Sequence, residues 1–321
     1  MRSQSAVFVD AGYLIAATAT RLTGSSLRRG VKVDYGTLIS ELIASVELRS
    51  GLPLLRVYWY DAGRNGVADQ EQEQVAALPK VKLRLGRVGV EGEQKGVDLR
   101  IGLDMVGHSR NGAVDIIYLL SGDDDLTEAV EETQAQGVQV VVLAVPTIGG
   151  QPHGVSRHLV QAADGVEVLE DSLLDKSFSV TKRTALAPAT GIAAVARASR
   201  IPGPPVGSVP RVPAAGLAPA IAYSGGGDAK PYIAPEYRRD PAELSATIAD
   251  IVGKAYKAWS GTANSAQLRE LREGRPTIPR DLDRALLVDL SDALSDFYLD
   301  DQIRSELRSR FWDAVDAPAL G

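Results

Sequence analysis

The chain has 321 residues, of which 45% are hydrophobic, and this suits a globular protein with one large domain or two ordinary ones. It contains no cysteine, which excludes disulfide bonds, thiolate zinc sites and thiol nucleophiles. The net charge of −6 is uneven: residues 1–175 carry 16 basic and 24 acidic side chains, residues 176–240 carry 9 and 3, and residues 241–321 carry 10 and 14. Only the middle segment is basic.

The first 175 residues alternate between short β-branched runs and helical patterns. Strands are predicted at 5–10, 54–61, 80–86, 114–122, 138–146 and 166–169. Helices are predicted at 12–19, 34–49, 68–77, 98–109, 124–136 and 154–163. This order predicts an α/β domain over 1–175, with a Rossmann-like parallel sheet flanked by helices.

The rest of the chain has two different patterns. Prolines spread among Ala, Gly and Ser predict a flexible linker over 176–240. Helical patterns at 241–259, 265–274, 278–294 and 301–315 predict a small all-α domain over 241–316, which we expect to bind a protein partner or form a homodimer. The aromatic residues expected in its core are Tyr256, Trp259, Phe297, Tyr298, Phe311 and Trp312.

No segment predicts export or membrane insertion. The apolar run near the N-terminus is interrupted by Asp10, and the longest apolar run elsewhere is too short to cross a bilayer. We therefore expect a cytoplasmic protein that does not enter the membrane.

Acidic residues follow several predicted strands and precede one helix. Ligands of open parallel sheets bind beyond the carboxyl ends of the strands. The residues expected to converge there are Asp10, Asp98, Asp123 and Asp125. Possible additions are Asp61, Asp104 and Lys95.

Carboxylates crowded in this way repel one another unless a cation compensates their charge, and oxygen ligands favour Mg²⁺ or Mn²⁺. Such ions support phosphodiester hydrolysis. The alternative is structural: Asp125 as a helix cap and Asp124 as a partner of the helix dipole. Three separate segments pointing to one edge favour the metal site, with Asp123 and Asp125 facing it and Asp124 turned away.

Five stretches together resemble the NYN domain, a branch of the PIN-like nuclease superfamily. They are VFVDAGYL (7–14), KGVDLRIGLDM (95–105), YLLSGDDDL (118–126), GVQVVVLAV (137–145) and LVQAADGVEVL (159–169). The resemblance implies a PIN-like fold and a metal-dependent ribonuclease site in which the four expected aspartates hold Mg²⁺ or Mn²⁺. It also matches Asp104 to a second acidic position and Ser121 to a serine or threonine that often precedes the acidic pair.

One departure from the family pattern leaves an alternative open. Many NYN domains have an asparagine shortly after the first aspartate, where this chain has Gly12 and Tyr13. The alternative is a catalytically weak or inactive NYN protein that binds RNA or a protein. A phosphatase is disfavoured because position 12 is not a second aspartate, and a toprim-type nuclease because Asp10 stands where that family has a glutamate.

The charge pattern bears on RNA binding. An acidic domain attracts RNA poorly at long range. The basic linker could offset this through phosphate contacts, or its charges could only keep it soluble. The candidate contacts are Lys182, Arg183, Arg197, Arg200 and Arg211.

Overall fold

The computed structural model describes residues 3–64, 66–88, 94–181, 241–294 and 299–317. The strands in these residues are β1 (Ser5–Asp10), β2 (Val31–Val33), β3 (Leu54–Arg64), β4 (Val81–Val88), β5 (Gln94–Lys95), β6 (Ile116–Leu120), β7 (Gln139–Ala144), β8 (Gly165–Val168) and β9 (Phe178–Val180). Seven of them form one sheet in the order β5-β4-β3-β1-β6-β7-β8, in which β5 is antiparallel to β4 and the other neighbours are parallel.

Helices connect the strands and continue after them. The helices of the N-terminal region are α1 (Ala11–Thr23), α2 (Tyr35–Ser50), α3 (Gln70–Ala76), α4 (Val97–Arg110), α5 (Thr127–Ala135), α6 (Arg157–Ala162) and α7 (Asp171–Ser177). Those of the C-terminal region are α8 (Pro241–Thr262), α9 (Ser265–Glu273), α10 (Arg280–Leu294) and α11 (Asp301–Asp316). None of the described helices is both long enough and apolar enough to cross a membrane.

The sheet is buried on both faces because the side chains of its central strands alternate in direction. In β1, Val7 and Val9 pack in a core with residues of α1 and α2. Phe8 points to the opposite core, which contains Ile101 and Met105 of α4. Burying a side chain of this size contributes about 1.5–3 kcal/mol. Helices therefore cover both faces, as the near-continuous apolar strands predict.

The strand register aligns the carboxyl ends at the centre of the sheet. Asp10 of β1 pairs with Tyr60 of β3, and Val9 pairs with Leu120 of β6. The chain therefore leaves β1 at Asp10 and β6 at Ser121 on the same edge.

The predicted parallel sheet with flanking helices, followed by a helical C-terminal region, is confirmed. Among the described strands and α-helices, four were not predicted: β5, α7, and the strands β2 and β9 of a small antiparallel sheet. The predicted domain boundary at residue 175 falls inside α7. The N-terminal region extends through β9, because that strand pairs with β2. Residues 182–240, which hold most of the predicted linker and its five candidate phosphate contacts, lie outside the described residues.

The helices α8 to α11 share a core of their own. Four of the predicted core aromatics lie in or against it, namely Tyr256, Trp259, Phe311 and Trp312. Phe297 and Tyr298 lie outside the described residues. Leu27, which follows α1, is buried in the same core. The N-terminal region and the C-terminal helices accordingly form one compact unit.

Candidate active site

Asp10 is the central carboxylate of the sheet edge. It ends β1 and caps α1, because its Oδ1 accepts hydrogen bonds from the backbone N–H groups of Gly12 (2.8 Å) and Tyr13 (3.3 Å). Burial raises the pKa of Asp10 to about 6, against the lowering effect of the Tyr13 N–H. The negative charge of Asp98 also raises this pKa, while Arg28 lowers it. Asp10 is thus held rigidly through one oxygen, in a setting that disfavours its charge.

Asp98 lies in the first turn of α4, directly after a turn in which Gly96 has a φ of 81°. Burial raises the pKa of Asp98, and the charges of Asp123 and Asp125 raise it further. Asp98 therefore links Asp10 to the acidic segment after β6, as expected for residues that face a common edge.

The three adjacent aspartates after β6 have different partners. Asp123 caps a short 3-10 turn, and its Oδ1 accepts a hydrogen bond from the Asp125 N–H at 3.0 Å. Asp124 turns away and accepts a hydrogen bond from the Ser156 hydroxyl at 2.7 Å, with the His158 Nδ1 at 3.1 Å. Buried Ser121 supports the turn, since its hydroxyl oxygen accepts a hydrogen bond from the Asp123 N–H at 3.3 Å. Asp123 and Asp125, unlike Asp124, act electrostatically on Asp98.

Gly122 allows this turn because no side chain fits there. A Cβ at position 122 would lie 1.8 Å from the carbonyl oxygen of Gly154 and 3.0 Å from the ring of Tyr13. The Tyr13 hydroxyl donates a hydrogen bond to the His153 carbonyl (2.6 Å) and accepts one from the Val145 N–H (3.2 Å). Tyr13, which lies in the stretch where many NYN domains have asparagine, thus ties α1 to the end of β7 and the loop that follows.

The remaining predicted residues have partners outside the four-aspartate cluster. Asp104 accepts a hydrogen bond from the Tyr60 hydroxyl at 3.0 Å and forms an ion pair with Arg84 at 3.0 Å.

Asp61 accepts hydrogen bonds from the Gln72 side chain and the Ala62 N–H, both at 2.8 Å, and lies 3.9 Å from Arg28. Lys95 belongs to β5, and its side chain lies outside the described part of the chain.

Two arginines near the acidic edge were not among the predicted site residues. Arg28 follows α1, and Arg284 lies in α10 of the C-terminal region. Arg28 acts on the charge of Asp10, and Arg284 on that of Asp98. The sequence offers no periodic signal for either, because Arg28 lies in a three-residue 3-10 turn and Arg284 comes to the edge from the C-terminal region, far away in sequence.

The donor set fits a partly hydrated divalent cation better than a closed protein cage. Within the described residues, no group of three or more His, Asp or Glu side chains is arranged to hold a metal ion. Mg²⁺, however, is usually bound by one or two carboxylates together with water and substrate phosphate. Within the described residues, the second oxygen of Asp10 accepts no protein hydrogen bond. A cation would favour the ionised forms of Asp10 and Asp98, whose pKa values are raised by burial and, to a smaller extent, by repulsion between carboxylates.

Comparison with known proteins agrees with this architecture. The NYN domain family matches residues 4–170, just over half of the chain. The uncharacterized protein y4oD of Sinorhizobium fredii (strain NBRC 101917 / NGR234) is 35% identical over 134 residues, which cover 41% of this chain and 60% of that protein. The chain thus spans less than two thirds of the length of this curated relative. From the extent of the family match, the chain belongs to the NYN domain family, within the PIN-like nuclease superfamily.

Proposed function

We propose that this protein is a divalent-metal-dependent ribonuclease that hydrolyses RNA phosphodiester bonds at the carboxyl edge of its sheet. The observation that carries the proposal is the electrostatic coupling of Asp10, Asp98, Asp123 and Asp125, which come from three separate segments of an NYN fold. Groups with perturbed pKa values, as Asp10 and Asp98 have, are typical of functional sites.

Each aspartate has a distinct part in the proposed site. Asp10, Asp98, Asp123 and Asp125 together would hold Mg²⁺ or Mn²⁺, which when bound supplies charge compensation and lowers the pKa of water for attack on phosphorus. Asp10 is fixed by the α1 backbone, so that its free oxygen has a defined position. Asp123 and Asp125 are held by the turn that Ser121 and Gly122 support.

Hydrolysis requires that water add to phosphorus and that one ester P–O bond break. The Gly12 and Tyr13 N–H groups and the charge of Arg28 favour the ionised form of Asp10, against the burial and the Asp98 charge that disfavour it. Asp104 and Asp61 would support the site indirectly, since each is already engaged by neighbouring side chains. The cytoplasmic location expected from the sequence stays a prediction.

The test compares cleavage of a mixed RNA pool by purified full-length protein with Mg²⁺ or Mn²⁺ and with a chelator. Asp10→Asn and Asp123→Asn are expected to abolish cleavage, because each removes a metal-binding carboxylate while keeping the side-chain shape. Asp124→Asn is the matched control, since this neighbouring carboxylate contacts Ser156 and His158. Cleavage that survives both substitutions, or that wild type never produces, would contradict the ribonuclease assignment.

A second candidate is an NYN protein that binds RNA or a partner without cleaving it. Tyr13 favours this alternative, because its hydroxyl is already engaged by His153 and Val145 and it replaces a polar residue common in the family. Metal-dependent RNA binding without cleavage, lost in Asp10→Asn, would select it over the nuclease. A protein partner or homodimer contact through the C-terminal helices stays a separate proposal.

A further inference from the structure

The segment between α1 and β2 is where the C-terminal helices contact the N-terminal region. Leu27 is 2% exposed and lies in the core of the C-terminal helices. The Ser26 N–H donates a hydrogen bond to Asp289 of α10 at 2.9 Å. The Arg29 guanidinium lies 5.4 Å from the ring centroid of Trp259, and its Nε donates to the Thr262 hydroxyl at 3.2 Å. Apolar, hydrogen-bonding and cation–π contacts thus hold the two regions together.

Arg28 lies between two of these docking residues and has different surroundings. Its guanidinium is 3.9 Å from the Asp61 carboxylate at the end of the sheet, and its side chain is 34% exposed. Its charge also acts on Asp10. While Leu27 and Arg29 hold the C-terminal helices, Arg28 therefore faces the acidic edge.

Arg284 approaches the same edge from α10. It lies between Asp281, which pairs with Arg29 at 3.5 Å, and Asp289, which binds Ser26. Partial loss of hydration and the charge of Arg28 lower the pKa of the Arg284 guanidinium, while Asp10 and Asp98 oppose this. Arg284 follows Asp281 by three residues on α10, so these docking contacts bring a second arginine towards the edge that Arg28 faces.

Arg284 acts on the carboxylates through its charge but makes no ion pair with them. It is an exposed residue, and within the described part of the chain no carboxylate lies within salt-bridge distance of it. The charges of Arg28 and Arg284 repel each other, and in the described residues the ion pair that Arg28 makes with Asp61 is long, at 3.9 Å. A polyanion that binds between them would remove the repulsion, and arginine forks match phosphate oxygens in geometry.

We propose that Arg28 and Arg284 together bind phosphate groups of the RNA backbone beside the four aspartates, so that the C-terminal helices complete the RNA-binding site of the NYN domain. This inference rests on the proposed function, because it takes RNA as the ligand of the acidic edge. The carboxylates and a divalent cation engage the phosphate to be cleaved, and the two arginines hold neighbouring phosphates. Arg28 and Arg284 are thus substrate-binding residues from opposite ends of the sequence.

The test measures binding of a fluorescein-labelled, mixed-sequence single-stranded RNA by anisotropy across a salt series, in full-length protein carrying Asp10→Asn to prevent cleavage. Adding Arg284→Ala is expected to weaken binding roughly tenfold and to lower the salt slope by about 0.7, the counterion release for one single-strand phosphate contact. Arg28→Ala should do the same. Arg284→Lys should keep the salt slope and recover part of the affinity, since the charge remains and the fork is lost.

Arg304→Ala is the matched control, because Arg304 is an exposed arginine of α11 whose charge does not act on the aspartates. Thermal unfolding should be the same for Arg284→Ala and the control, since Arg284 makes none of the docking contacts. Equal affinity and salt slope for Arg284→Ala and Arg304→Ala would overturn the proposal. Tighter RNA binding or faster cleavage on removing Arg284 would also overturn it, because the arginine would then block the edge.

The two proposals fail separately. If wild type cleaves RNA while Arg284→Ala and Arg304→Ala have the same RNA affinity and salt slope, the nuclease assignment stands and the proposed phosphate binding by Arg28 and Arg284 is wrong. If wild type cleaves no RNA, Asp10→Asn is omitted from the binding assay; weaker binding by Arg284→Ala and Arg28→Ala than by Arg304→Ala then supports the arginine pair, while the nuclease assignment is wrong.

Discussion

Replacing Asp10 with asparagine should stabilise the metal-free protein above pH 6. Burial raises the pKa of Asp10 from 3.8 to about 6. A raised carboxyl pKa means that ionisation costs more in the folded than in the unfolded chain. The contribution of Asp10 to the free energy of unfolding is therefore fully present below about pH 4 and is lost as pH rises through 6. The shift of about 2 pKa units corresponds to about 3 kcal/mol of unfolding free energy at pH 8.

Asparagine removes this cost and keeps the local structure, because its amide oxygen can still accept the Gly12 and Tyr13 N–H groups and asparagine is a favoured helix cap. Urea unfolding with a chelator should give equal stabilities for wild type and Asp10→Asn at pH 4, and a gain of about 3 kcal/mol for the variant at pH 8. Mg²⁺ should stabilise wild type more than the variant, by mass action on the folded state.

Asp34→Asn is the control, because its effect on the free energy of unfolding at high pH should have the opposite sign. Asp34 also caps a helix after a strand, with its Oδ1 accepting the Thr37 N–H at 3.0 Å. That N–H is the main cause of the lowered pKa of this exposed carboxyl, so its stabilising effect is present above its unfolded pKa and is lost as pH falls. A gain for Asp10→Asn that is the same at pH 4 and pH 8, or absent at pH 8, would refute the argument from burial.

Two further substitutions test the supports of the acidic turn, each by urea unfolding. Gly122→Ala should destabilise the protein by about 1–3 kcal/mol or more, because the new Cβ would lie 1.8 Å from the Gly154 carbonyl oxygen and must displace it. The control is Gly107→Ala, which has open space around the new Cβ in α4 and should be neutral or stabilising by roughly 0.5–1 kcal/mol. Equal stability of both alanine variants would contradict the close approach. Tyr13→Phe should lower the free energy of unfolding by about 1–3 kcal/mol, because it leaves the Val145 N–H without its acceptor. An unchanged free energy of unfolding would mean that water replaces the hydroxyl.

The central strands and the acidic edge could be predicted because each depends on local sequence and on one rule of sheet geometry. The apolar runs of β1, β6 and β7 form buried parallel strands. Because β1 and β6 are neighbours, Asp10 and the acidic segment after β6 lie at one edge, where the charge of Asp98 acts on Asp10 and those of Asp123 and Asp125 act on Asp98. The pair β2 and β9 could not be predicted, since three-residue strands have no readable period and form only through a long-range pairing.

Asp104 illustrates how helix geometry and family pattern can point in different directions. The six-residue spacing from Asp98 places it roughly 120° around α4 and about 9 Å along the axis, away from the edge. The structure pairs it with Tyr60 and Arg84 instead, on neighbouring strands of the sheet. These contacts agree with the geometric expectation that Asp104 supports a neighbour through a hydrogen bond, while the acidic role that the resemblance implies for it stays a prediction.

In the proposed complex, the docked helices change how an acidic domain can attract RNA. Residues 1–175 carry an excess of acidic side chains, and the C-terminal region is also acidic, so net charge disfavours a polyanion. At distances within the Debye length of about 8–10 Å, however, the local arrangement of charges matters more than the total. The charges of Arg28 and Arg284 act on the carboxylates, and Arg284 belongs to α10, which contacts Ser26 and Arg29. The docking contacts therefore do more than pack two cores together, because they bring Arg284 to the edge that Arg28 faces, where the proposed arginine pair would hold a phosphate backbone.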